Sequence, residues 1–232
     1  MRENWTLLSA LAEATQRVEL GTLVLCTQFR HPTLLAKMAT PLDAVSQGRL
    51  ILGLGAGWNE PEFRAFGFPF DHRVSRFEEA LPIIKPLLRE GWVDFHGAYY
   101  QAHDCEIKPR GPRSSGPPLL IAGDQPRMLR LTAQYADSWN VPFLSAPQSL
   151  LEPRSRLFTA CAEVGRDPTT REVTAEVALD FPDSGSTPPS HMQHDLSGST
   201  EEIANALHQD EQLGVGHLML YCSPSTTGAL SR

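Results

Sequence analysis

At 232 residues, with a formal net charge of −7 and basic residues scattered rather than striped, the chain lacks the electrostatic footprint of a nucleic-acid binder. An anionic membrane surface is an equally poor partner, and no run approaches the ~18 to 20 apolar residues of a membrane span. Hydrophobic residues make up 41% and charged residues 20%, ordinary for a globular protein of one large domain spanning residues 1–232.

The N-terminal MRENWTLLSALAEATQ is broken by polar residues, so it reads as an amphipathic helix and not as a signal peptide. Four cysteines (Cys26, Cys105, Cys161 and Cys222) lie far apart with no CxxC pair. Three sit in or beside apolar stretches, where buried free thiols are expected, and a cytoplasmic location follows.

In chain order, Asn4 to Thr15 places Trp5, Leu8, Leu11 and Ala12 at helical spacing, with Asn4 as the candidate cap. Val18 to Thr27 (VELGTLVLCT) is a nearly continuous β-prone run, as expected of a strand covered on both faces. Pro32 suits a helix start, and Leu34, Leu35, Met38, Leu42 and Val45 keep helical spacing to Gly48. Arg49 to Gly55 is the second strand and runs into a glycine-rich turn. Val74 to Arg89 is a helix with Phe77, Leu81, Ile84 and Leu88 on one face. Residues 92–117 read as an insertion, whose two short alternating runs suggest a hairpin.

Pro118 to Ala122 is the third strand, and Arg127 to Ala136 the next helix. Ser138 to Val141 is a short strand, followed by a helix from Gln148 to Val164. Glu172 to Phe181 is the fifth strand, and a polar loop occupies 182–198. Thr200 to Leu213 is a helix capped by Ser199 or Thr200 with Glu202 near the capping-box position, and His217 to Tyr221 is the sixth strand.

Strand and helix alternate throughout, which implies parallel strands joined by helical crossovers. The fold class is α/β, a TIM-type (β/α)8 barrel that is incomplete. Six strands and six helices are read, starting with a helix, where a closed barrel needs eight of each over ~250 residues.

The segment from Gly21 to Leu81, with GTLVLCTQFRHP, GRLILGLGAGWNEPEF and FGFPFDHRVSRFEEAL, resembles the central signature of the bacterial luciferase-like family. The likeness continues through DFHGAYY, PPLLIAG and PRMLRLTAQYADSWN, covering roughly residues 4 to 142 well. The family holds FMN-dependent monooxygenases and enzymes using the deazaflavin coenzyme F420. The resemblance therefore implies a flavin- or F420-dependent oxidoreductase, of monooxygenase type, acting on a small organic substrate. It makes Val18 to Thr27 the third barrel strand and Arg49 to Gly55 the fourth. The first two strands and the final helix are then expected to be absent from the chain.

The GLGAGW turn (Gly53 to Trp58) also invites a dinucleotide-fold reading, but its spacing is G-x-G-x-G and no acidic residue ends a second strand about 20 residues on. A glycine turn at the carboxyl end of a barrel strand fits a flat cofactor better, and a tight turn with no ligand is the alternative. By resemblance, backbone at Ala56 and Gly57 lies beside the isoalloxazine ring. Trp58 stands where some sugar-oxidising relatives carry an acid, which argues against their proton-donor chemistry. Leu23–Val24 falls where family members often have a non-proline cis peptide forming a bulge behind the flavin; two ordinary core residues are the alternative.

The resemblance places the cofactor phosphate near Ala122 and Gly123, at the start of the helix after the third visible strand, where free amides bind phosphate. Asp124 would cap that helix and repel the phosphate, with Arg127 available to offset it; a merely capped helix is the alternative. His31, in the loop after its strand, is a candidate proton shuttle or substrate contact, although a lone loop histidine is more often structural. His191-x-x-His194-Asp195 has a spacing that a metal could use, but no third ligand cluster accompanies it, and no metal is expected.

Pro41, Pro82 and Pro86 fall inside helical patterns, where each costs about 3 kcal/mol. On a barrel missing two strands these sites make a poor stability case, and the exposed flanks of the first and last strands are open sheet edges prone to association. The second reading is a non-catalytic chain that pairs with a complete relative through the exposed apolar residues of its first helix. By family expectation the oligomer is a homodimer or a pairing with another luciferase-like chain.

Overall fold

The computed structural model describes residues 3–142, 144, 146–180 and 196–223. Its contacts divide the chain into two compact units, Met1–Ile121 and Ala122–Arg232.

In the first unit, α1 (Asn4–Ala14) buries Trp5, Leu8 and Ala12 of the four residues at helical spacing, while Leu11 is left 48% exposed. Its cap is Glu3 and not Asn4. The longer Glu3 carboxylate reaches two orphan amides, accepting from Trp5 N at 3.1 Å and Thr6 N at 2.7 Å.

Val18 to Thr27 is not one strand. It pairs in parallel with β3 (Leu50–Gly55) in two short stretches, β1 (Leu20–Gly21) and β2 (Leu25–Cys26). Between them three residues, Thr22 to Val24, stand opposite two, Leu52 and Gly53, so the ladder carries a bulge. Thr22 supplies the missing pairing from its side chain: its hydroxyl donates to Gly53 O at 2.8 Å and accepts from Gly53 N at 3.1 Å. β-Propensity reads as continuous here because Leu23, Val24, Leu25 and Cys26 are all β-compatible, and only register reveals the break.

α2 (Pro32–Val45) begins with proline at its first turn and continues through Pro41. α4 (Arg73–Arg89) continues through both Pro82 and Pro86, so none of the three prolines ends its helix. The reason is packing. Phe77, Leu81, Ile83, Ile84 and Leu87 on α4 are fully buried, and full burial of each such side chain contributes about 1.5 to 3 kcal/mol, enough together to offset two proline penalties.

Between these helices lies α3 (Glu60–Phe66), absent from the sequence expectation. Seven residues with one buried side chain, Phe63, offer no helical period to read. Its punctuation is Pro61 in the first turn and Gly67 at the C-cap with φ 74°.

Residues 92–117 open with an antiparallel hairpin, β4 (Trp92–His96) and β5 (Gln101–Glu106), as expected. Its turn is fastened to α4 by Glu79, whose carboxylate accepts the amides of Ala98, Tyr99 and Tyr100 at 2.9, 2.8 and 3.2 Å. Farther on, Arg113 forms an ion pair with the fully buried Asp43 of α2 and also donates to Leu50 O. β6 (Leu119–Ala122), whose last residue begins the second unit, pairs in parallel with β3, Leu52 opposite Leu119.

The second unit contains α5 (Pro126–Tyr135), β7 (Ser138–Val141), α6 (Leu151–Glu163), β8 (Glu172–Asp180), β9 (Leu196–Ser197), α7 (Thr200–Gln212) and β10 (Val215–Ser223). β7, β9 and β10 all pair in parallel with β8. The core joins Trp139, Val141, Ala175 and Val177 to Leu129, Leu157, Cys161 and Ile203 from the helices. α7 carries the expected capping box between Ser199 and Glu202. Leu196 and Ser197, read as the end of a polar loop, are a strand instead, because β8 offers them a free ladder.

Of the cysteines, Cys161 is buried, but Cys26 and Cys105 are only partly so. β2 and β5 are too short or too near an edge to cover those two thiols. Among the described residues, no helix is long and apolar enough to cross a membrane.

Candidate functional site

The site residues expected from the sequence fall into two groups, one in each unit. In the first unit the Leu23–Val24 peptide is cis, at the position expected, with Leu23 exposed and Val24 half-buried. The bulge it belongs to explains two glycines of the turn. A Cβ on Gly53 would lie 1.8 Å from Thr22 O, and one on Gly55 would lie 2.8 Å from Val24 Cγ2. Gly57 has φ 80°, and its added Cβ would meet Phe63 and Cys26 Sγ at 2.6 and 2.7 Å. All three glycines are therefore required by the chain's own packing, and the pattern alone does not call for a ligand.

Ala56 is buried, and its carbonyl accepts from Gln28 Nε2 at 3.1 Å. The same nitrogen donates to Arg73 O at 2.7 Å. With two carbonyls on one side, the Gln28 amide has to turn its NH2 toward them. That leaves Gln28 Oε1 buried with no hydrogen-bond partner, and the adjacent Thr27 Oγ1 is in the same condition. Sequence reading missed both residues, because polar side chains just after a strand carry no periodic signal.

His31 is the N-cap of α2. Its Nδ1 accepts from Thr33 N at 3.4 Å and lies 2.7 Å from Thr33 Oγ1. Its ring stands edge-on to Tyr100 at 5.5 Å, and burial lowers its pKa, so the imidazole is neutral at pH 7. A local structural task thus accounts for its position. Trp58 is 80% exposed.

In the second unit, Ala122 and Gly123 lead into α5, whose N-cap Gln125 makes no side-chain cap bond. Asp124 does not cap the helix. Gly123 has φ 125°, and its carbonyl accepts from Trp139 Nε1 at 2.9 Å, which fixes the loop against β7. Arg127 is exposed in the first turn of α5. The cation placed at Asp124 is Arg156 of α6, which sequence reading did not single out. Its Nη1 donates to Asp124 O at 3.2 Å, and its Nη2 lies 3.8 Å from the carboxylate. The amides at the start of α5 can attract an anion, whereas Arg156 is already held by Glu152 at 2.9 Å and faces Asp124. The His191, His194 and Asp195 group lies outside the described residues.

Residues 1–183 match the sequence model of the luciferase-like monooxygenases. The chain belongs to that family. Among luciferase-like relatives, a pyrimidine monooxygenase RutA from Rhizobium rhizogenes is 32% identical over 173 residues, 71% of this chain and 47% of that protein. A phthiodiolone/phenolphthiodiolone dimycocerosates ketoreductase from Mycobacterium kansasii is 34% identical over 172 residues, 72% of this chain and 46% of its own length. The chain thus spans about half the length of these curated relatives.

Among solved structures, an F420-dependent secondary alcohol dehydrogenase, in complex with an F420–acetone adduct, superposes with a TM-score of 0.82 at 19% identity. The match covers 98% of this chain and 80% of that one. A riboflavin lyase bound to modified FMN and riboflavin gives 0.80 at 16% identity, covering 99% and 71%. These likenesses establish a luciferase-like TIM-type β/α-barrel fold, of which the parallel strands here form part, and they overturn the doubly wound dinucleotide reading of GLGAGW.

Proposed function

We propose that the chain is a flavin- or deazaflavin-dependent oxidoreductase of monooxygenase type, using FMN or coenzyme F420 on a small organic substrate. The observation that carries the reading is the match of residues 1–183 to the luciferase-like monooxygenase family; beside the glycine turn, Thr27 Oγ1 and Gln28 Oε1 are buried and unpartnered, with Gln28 bonded to the Ala56 carbonyl. Buried polar atoms without partners are costly and rare, and this pair would become satisfied if the end of the strand opened toward a bound ring. FMN and F420 share a pyrimidinedione edge of carbonyls flanking an N–H, which needs both a donor and an acceptor. A threonine hydroxyl and an amide oxygen provide that combination, so the residues present fit the group.

Leu23, Val24, Ala56 and Gly57 are proposed to contact the ring, and Ala122, Gly123 and Arg127 the phosphate end. When bound and reduced, FMN supplies electrons for oxygen activation and F420 supplies a hydride. The chain's own contribution is to bind, orient and shield the cofactor. His31 is the weak candidate for a catalytic role, as a neutral imidazole able to accept a proton from substrate.

A second reading is favoured by Leu7 and Leu11 on α1, which are 44% and 48% exposed. It is a non-catalytic chain that pairs with a luciferase-like partner, or with a second copy, through its outer helices. Titration of the purified chain with FMN and, separately, with F420, read by fluorescence or absorbance, distinguishes the two. Saturable micromolar binding of one names the cofactor. A folded chain that binds neither loses the enzyme reading and leaves the pairing one.

A further inference from the structure

The hairpin carries a group of side chains that the sequence does not show as a cluster. Asp94, His96 and His103 are all exposed, and one ligand atom from each lies within 4.8 Å of the others. Strand geometry explains this. Asp94 and His96, two residues apart on β4, share the outer face, while Val93 is buried beneath them. His103 stands on the same outer face of β5, next to the buried Ala102.

The ladder shifts register between Val93 and Phe95, and Asp104 opposite has φ 42°. That shift turns the Asp104 amide onto Asp94 Oδ1 at 3.3 Å. The second oxygen, Oδ2, is left 3.4 Å from His96 Nε2. The His96 and His103 rings lie 4.9 Å apart between centroids.

We propose that Asp94, His96 and His103 form a binding site for a divalent transition ion of the zinc type. Tetrahedral ligands at ~2.0 to 2.1 Å from zinc stand about 3.4 Å apart, the spacing already present between Asp94 Oδ2 and His96 Nε2. The His103 ligand atom, within 4.8 Å of the other two, would move closer to complete the set. Two imidazoles and one carboxylate suit zinc, nickel or cobalt, whereas magnesium and calcium demand more oxygens. The Asp104 amide on Oδ1 orients the carboxylate, as outer partners of metal ligands do. The platform is firm, since Glu79 holds three amides of the hairpin turn. The fourth position faces solvent and takes water. The ion would cross-link β4 to β5, independently of any cofactor.

The test is calorimetric titration of the tag-free 232-residue chain with zinc chloride, repeated on His96→Ala/His103→Ala and on Asp94→Asn. The wild type should bind one zinc ion saturably at micromolar concentration, and magnesium chloride should give no saturable heat. Loss of an outer partner alone costs roughly 10- to 100-fold in metal affinity, so the double variant should lose at least about 100-fold. Asp94→Asn should bind about tenfold more weakly or worse. No saturable zinc binding by the wild type, or equal affinity in the double variant, overturns the site; the second outcome leaves a simple His96–Asp94 surface pair. If the double variant fails to fold by circular dichroism, cobalt absorption decides. Visible tetrahedral bands in the wild type that vanish in His103→Gln support the site, and bands unchanged in His103→Gln refute it.

Discussion

Thr22 and Gly53 satisfy each other across the interrupted edge of β3. The Thr22 hydroxyl donates to the Gly53 carbonyl at 2.8 Å and accepts the Gly53 amide at 3.1 Å, with Thr22 only 6% exposed. One side chain does here what a strand's backbone does elsewhere, and it sets where the Leu23–Val24 bulge and the Ala56–Gly57 turn stand relative to each other.

Thr22→Val keeps the shape and removes both bonds. Two buried backbone groups are then unpaired, at about 1 to 3 kcal/mol each. The urea midpoint should fall by an amount equivalent to about 2 to 4 kcal/mol, while Thr22→Ser should lose far less. Equal midpoints for wild type and Thr22→Val would show that the hydroxyl pairing contributes nothing.

The Asp43 carboxylate is fully buried on α2, and its partner Arg113 is 28% exposed. Removing one member of a buried pair strands the other at about 3 to 5 kcal/mol, and the partial exposure of Arg113 puts the effect at or below the lower end. Arg113→Ala should therefore destabilise by about 2 to 3 kcal/mol. Arg113→Ala/Asp43→Ala should be less than additive in denaturant unfolding; strict additivity would mean the two side chains do not interact.

Asp124 sits just before the uncapped start of α5, with Arg156 nearby. At a well-solvated site a like charge about 4 Å away opposes an anion by about 1 kcal/mol, and the Asp124 side chain is 44% exposed, so Asp124→Asn should tighten FMN binding by roughly fivefold. Riboflavin, which lacks the phosphate, should bind both proteins alike. Equal tightening of the two ligands, read by flavin fluorescence, would place the phosphate elsewhere.

Asp210 on α7 is 1% exposed, and its Oδ1 has no partner. Burial raises its carboxyl from the ordinary 3.8 to about 6. The folded protein thus holds this proton more tightly than the unfolded chain, so the group's contribution is greatest below about pH 4 and is lost as pH rises through about 6. Asp210→Asn should stabilise the protein at pH 7.5 by on the order of 2 kcal/mol, and the gain should shrink toward zero at pH 4. A gain that does not vary with pH, measured by urea unfolding at both values, would refute the assignment.

Much of this protein is written locally in its sequence. Pro32 at a helix start, the Ser199–Glu202 box, the alternation of apolar runs and the hairpin of residues 92–106 are short-range patterns, each set by backbone chemistry within a few residues. The family resemblance rests on the same kind of signal, an ordered series of short motifs. What the tertiary structure decided depends on partners far along the chain. The break at Thr22 to Val24 exists only against Gly53, and Gly57 is fixed by Phe63 and Cys26 as well as by its own φ. Pro82 and Pro86 are tolerated because α4 is buried along its length, a packing gain that helix propensity does not record. Arg156 reaches Asp124 from 32 positions away, and the ligand atoms of Asp94 and His103 come within 4.8 Å across a hairpin whose ladder shifts register. Periodicity and capping report which element forms; register, burial and charge pairing between distant residues are settled only when the elements pack.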